Sequence, residues 1–153
     1  MKNTMAMKTK LMGIATALTV AVVLLVGNTI DAQSGTTFKA RLTMCPTDMT
    51  TRANTTGSGS ATAVLAGNKL TVSGTFEGLS SPATIAQIHG GQIKGVRGPV
   101  ISDLTISKEA SGTVSGSLDL TPAQLEDLKN GRIYIQIHSE RAPNGSIWGW
   151  FMR

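Results

Sequence analysis

The chain has 153 residues, a formal net charge of +5, 15% charged and 4% aromatic residues, and a single cysteine. That length leaves room for one domain, and one cysteine excludes an intramolecular disulfide, so the fold must rest on its apolar core. The basic residues are scattered, without runs or interleaved aromatics, and such a pattern excludes a nucleic-acid-binding stripe.

Residues 1–32 read as an export segment. Lys2, Lys8 and Lys10 make a positive start, Leu11 to Gly27 is an uncharged and mostly apolar run, and Ile30-Asp-Ala32 offers a cleavage site. The run is about 17 residues, at the lower edge of what spans a bilayer. It is therefore either a cleaved signal peptide or a retained anchor helix with its lysines on the cytoplasmic side. Both alternatives place residues 33–153 outside the cytoplasm: periplasmic, extracellular or membrane-anchored. Membrane contact would run only through residues 11–27. Without Lys2, Lys8, Lys10 and Asp31 the formal charge falls from +5 to +3.

The remainder reads as short strands. Phe38–Leu42 alternates, and Cys45 to Gly59 turns to Thr, Asn, Gly and Ser, the composition of a loop. Ser60–Leu65 and Lys69–Phe76 are strands around a Gly67-Asn68 hairpin turn, the second with Leu70, Val72, Gly74 and Phe76 on one face. Thr84–His89 follows, then a glycine-rich loop through Pro99, and strands over Val100–Ser107 and Thr113–Leu120. At Thr121 the period changes. Thr121 as N-cap, Pro122 at the first position, Gln124 completing a capping box and Gly131 as the stop predict a helix of about two turns. Its apolar stripe is only Leu125 and Leu128, so it must plug one end of a sheet structure. Ile133–Ser139 and Ser146–Met152 are the last strands, joined by an Ala142-Pro-Asn-Gly145 turn. About eight short strands with regular turn signals and one short helix predict an all-β, antiparallel, Greek-key-like β-sandwich over 33–153.

The only two histidines close similar segments, Ile85-Ala-Gln-Ile-His89 and Tyr134-Ile-Gln-Ile-His138. Side chains two apart on a strand share a face, so Gln87 accompanies His89 and Gln136 accompanies His138. If the two strands pair, two imidazoles and two amides converge. One expectation is then a copper or zinc site on His89 and His138, with Cys45, Met44 or Met49 as soft donors suited to Cu(I). The other is that both histidines are hydrogen-bonded strand residues. Catalytic machinery is not evident. Ser139 points away from His138, there is no nucleophile elbow, the carboxylates are dispersed, and no helix follows the glycine-rich loop to make it a phosphate site. Arg97 in that loop is a candidate anchor for a partner carboxylate. In the last strand Trp148 and Trp150 share one face and Ile147 and Phe151 the other, which implies either burial on both sides or a face offered to a partner.

The combination of Leu70-Thr-Val-Ser-Gly74, Ser81-Pro-Ala-Thr84, Ile88-His89, Gly98-Pro99, Leu120-Thr-Pro-Ala-Gln124, Tyr134, Ile137-His138-Ser139, Pro143-Asn-Gly145 and Trp148-Gly149 resembles the CHRD domain, over roughly residues 38–152. The resemblance implies an all-β extracytoplasmic domain. Many relatives carry His-x-His where Gln87-Ile-His89 stands here, a pattern similar to the strand histidines of copper/zinc superoxide dismutases, and this implies copper for those relatives. The expected function is a non-catalytic interaction module or accessory subunit with a protein partner at the cell surface or in a membrane complex. Its contact surface would comprise Arg97, Trp148, Trp150, Gln87 and Gln136. The alternative is a copper protein for storage, delivery or electron transfer on His89, His138, Cys45 and Met44.

Overall fold

A computed structural model describes residues 35–153. The expected signal peptide or anchor helix lies outside the described residues. Eight strands follow in order: β1 (Thr36–Met44), β2 (Ser58–Ala66), β3 (Lys69–Glu77), β4 (Ala83–Gly90), β5 (Val100–Ile106), β6 (Gly112–Asp119), β7 (Ile133–Ser139) and β8 (Ile147–Trp150). One helix, α1 (Pro122–Lys129), stands between β6 and β7. It starts on the expected capping box, in which Thr121 Oγ1 accepts from the Gln124 amide and Gln124 Oε1 from the Thr121 amide. It buries Leu128 in the core, with Leu125 packed against that core.

All neighbouring strands are antiparallel, and they close into a barrel in the order β1-β2-β3-β6-β5-β4-β7-β8. This corrects the expectation of a sandwich. A sandwich leaves sheet edges, whereas here the last strand seals the first. β8 pairs with β7 from Tyr134↔Trp150 to Ile137↔Ile147, and with β1 at Thr43↔Trp148 and Met44↔Ile147. An isolated bridge, Lys39↔Met152, extends that seam. Gly149 makes the closure fit, because a Cβ there would overlap the Arg41 carbonyl oxygen and lie 2.9 Å from a Leu42 methyl.

Inward residues of every strand fill the barrel, among them Phe38, Leu42, Leu70, Val72, Phe76, Ile88, Val114, Ile133, Ile135, Ile137, Ile147 and Phe151. Alternation alone accounts for this face. β7 and β8 depart from it, because they are buried on both sides. Outside the barrel, Tyr134, Trp148 and Trp150 form a second cluster with Cys45. The open alternative for the last strand thus resolves as two-sided burial, with Trp148 6% and Trp150 9% exposed. They do not form an open contact face.

Candidate functional site

The outer face of β4, β7 and β8 carries the site. Pairing sets Gln87 opposite Gln136, His89 opposite Tyr134, Ile85 opposite His138 and Gln136 opposite Trp148. His89 and His138 are therefore four residues out of step, about 13 Å along the strands. Their rings nevertheless lean toward each other, with centroids 6.5 Å apart. Gln136 lies between them and is 1% exposed. His89 stacks on Tyr134 at 4.9 Å with the planes 10° apart, and Tyr134 continues to Trp150 at 4.9 Å.

Two loops lock these side chains. The glycine-rich loop after β4 brings Gly98 over the β4–β7 pair, where its carbonyl lies 3.0 Å from His89 Nδ1 and its N–H donates to the Tyr134 hydroxyl at 3.0 Å. No side chain fits at that position, since a Cβ on Gly98 would overlap the Gly90 carbonyl oxygen. The turn before β8 places the Pro143 carbonyl 2.8 Å from His138 Nδ1. Gly145 ends that turn at φ +113°, and a Cβ there would overlap the Gln136 amide nitrogen. Only glycine satisfies both conditions.

The hydrogen bonds fix the protonation of both rings. Carbonyl oxygens only accept, so Nδ1 is the protonated nitrogen in each. Gln136 Nε2 donates to the Asn144 carbonyl at 3.0 Å and to His138 Nε2 at 3.2 Å, while Gln136 Oε1 accepts from Arg97 Nη1 at 3.3 Å. Both nitrogens of His138 are thus engaged. His89 is 7% exposed and its Nε2 is buried without a partner. Burial pushes the pKa of both imidazoles down against the bonds to Gly98 and Pro143, and the nearby Arg97 charge lowers them further. Both rings are neutral at pH 7.

Arg97 is the charged element. Its Nη1 bonds the Asn144 carbonyl at 2.5 Å as well as Gln136, and its guanidinium carbon lies 5.6 Å from the Trp148 ring centre. Among the described residues the ion pairs are Lys129–Glu126 and Arg132–Asp127, so Arg97 has no carboxylate partner. Arg97, Gln136, both histidines and Arg141 open into a pocket of about 530 Å³, walled on the far side by Pro46, Asp48 and Thr51. Asp48 is the one carboxylate on that wall. Its Oδ1 accepts from the amides and hydroxyls of Thr50 and Thr51, and these bonds lower its pKa to about 2.

The structure separates the sequence candidates. His89, His138, Gln136 and Arg97 come together in the pocket. Gln87 turns aside to donate to Asp103 Oδ1 at 2.8 Å. Cys45 packs in the tryptophan cluster, where burial pushes its thiol up to about 11. Met44, at the end of β1, is 59% exposed and does not line the pocket. Among the described residues no three His, Cys, Asp or Glu side chains gather closely enough to hold a metal ion. Tyr134, Arg141, Asn144 and the Asp48 loop escape sequence reasoning. Only Tyr134 carries a signal, because it shares its strand face with Gln136 and His138.

The family model of the CHRD domain matches residues 38–150, which spans all eight strands apart from the first two residues of β1. This chain belongs to the CHRD domain family. No curated protein and no solved structure matches it. The CHRD match runs from β1 through β8, so both loops that lock the histidines and the strands beneath them are inside the matched region.

Proposed function

We propose that this CHRD domain is a non-catalytic binding module, acting outside the cytoplasm, whose pocket takes an acidic group of its partner. The observation that carries this reading is Arg97. Its guanidinium, without a carboxylate partner among the described residues, is held in place by Gln136, Asn144 and the Trp148 face, and both of its hydrogen bonds to them use Nη1. The Nη2 and Nε donors remain for a carboxylate, which guanidinium forks recognise in two-point fashion. Neutral imidazoles beside it add polar contacts without competing charge. Binding of galacturonate as a probe carboxylate, followed by the fluorescence of Trp148, tests this. Arg97→Ala should abolish the saturable change and Arg97→Lys should weaken it. An Arg97→Ala protein that binds as tightly as the parent refutes the reading.

A second reading is a copper ion between His89 and His138. It is favoured by the donation of both Nδ1–H groups to backbone carbonyls, the arrangement that leaves Nε2 for a metal. It requires Gln136 to release His138 Nε2. Copper retained in equimolar amount after loading and dialysis, and lost in His138→Ala, would support it. Equal retention by His138→Ala would end it.

A further inference from the structure

On the other side of Trp148 lies a second recess of about 490 Å³, bounded by Lys39, Arg41, Thr43, Lys94 and the Trp148-Gly149-Trp150 segment. In sequence its cations are far apart. The fold gathers them, because Lys39 and Arg41 are successive outward residues of β1 while Lys94 comes from the loop that also carries Arg97. No carboxylate lines the recess, and none of the three cations is ion-paired among the described residues. Trp150, which also lines the recess, has its Nε1–H buried without an acceptor among the described residues. Trp148 lines this recess, and the guanidinium carbon of Arg97, which lines the first pocket, lies 5.6 Å from its ring centre, so the two openings meet at the Arg97–Trp148 contact.

We infer that the recess is a second anion subsite, and that the ligand crossing both is an acidic polysaccharide bearing a carboxylate on successive sugar rings. This inference rests on the reading that the Arg97 pocket takes an acidic group. Two subsites of one sign in a row call for a ligand with repeated negative charge. The choice of a glycan over an acidic peptide follows from the closed barrel. Extended peptides are commonly captured through main-chain bonds to a free strand edge. Here β8 is sealed against β1, and the Gly149 backbone lies on the Arg41 carbonyl. What the surface offers instead is three outward side-chain cations and no free strand edge, which suits a ligand held by its charged substituents rather than by its main chain.

The test compares galacturonate, a polygalacturonate oligomer, poly-glutamate and single-stranded DNA by the fluorescence of the two tryptophans. The oligomer should bind at least about tenfold more tightly than the monomer, because it engages linked subsites. Lys39→Glu/Lys94→Glu, at two exposed positions, should erase that gain and leave monomer binding unchanged. An oligomer no tighter than the monomer, or a gain that survives the double substitution, overturns the second subsite while the Arg97 reading stands. Absence of monomer binding to the parent protein instead removes the Arg97 reading. Poly-glutamate or DNA binding as tightly as the oligomer overturns the glycan assignment.

Discussion

Replacing Gln136 with leucine keeps the volume of a buried side chain and removes its polar atoms. Gln136 is 1% exposed, and its amide makes hydrogen bonds to Arg97, Asn144 and His138 at 3.3, 3.0 and 3.2 Å. At about 1 kcal/mol net for each, the loss is about 3 kcal/mol. Stranding His138 Nε2 adds to that cost, while the Asn144 carbonyl keeps its bond from Arg97 Nη1, and the extra apolar burial of leucine offsets a similar part. For a domain of this size a loss of about 3 kcal/mol lowers Tm by roughly 10 °C. Urea unfolding followed by tryptophan fluorescence measures it, and a midpoint shift at constant slope reports stability alone. A destabilisation below about 1 kcal/mol would show that the amide is not the keystone of the network.

Acid should weaken the fold through the histidines. Both have folded pKa values below the ordinary histidine value of 6.5, so the unfolded chain takes up protons first. Their contribution is fully present above that value and is lost as pH falls through the folded pKa. Unfolding at stepped pH should give stability that is flat above about 6.5 and declines below it, with a shallower decline in His89→Gln/His138→Gln. An equally steep decline in the double variant contradicts the assignment. Cys45, with its thiol pushed up to about 11, should resist alkylation at pH 8 in the native protein and react on unfolding, because the thiolate is the nucleophile. Rapid native labelling would mean that the tryptophan cluster opens. Long-range nitrogen-15 spectra should show both imidazoles neutral and protonated at Nδ1 at pH 7, and an Nε2–H signal from His138 would invert the proposed direction of the Gln136 bond.

The strands are legible in the sequence because one-sided burial writes a period of two, as in Leu70, Val72 and Phe76. Helix α1 is legible because its cap chemistry is local. Shared faces are legible too, and Gln136 does meet His138. The closure of the barrel is not. It depends on β8 meeting β1, residues more than a hundred apart in sequence, and no local pattern encodes that pairing. Convergence of the two rings has the same character, since it needs β4 beside β7, a register four residues out of step, and side chains that lean inward. The two apolar faces of β8 announce Trp148 and Trp150 as either core or contact, and only the covering loops decide for core. Lys39, Arg41 and Lys94 look scattered because charge clustering across a loop and a strand is a property of the fold.

The decisive measurement is nuclear magnetic resonance of the Arg97 guanidinium and of the His89 and His138 rings during titration with galacturonate. An acid-binding pocket requires the Arg97 Nε–H and the His138 ring to shift together and saturate at one midpoint. Signals that stay fixed, or a saturating response confined to another part of the barrel, would contradict it.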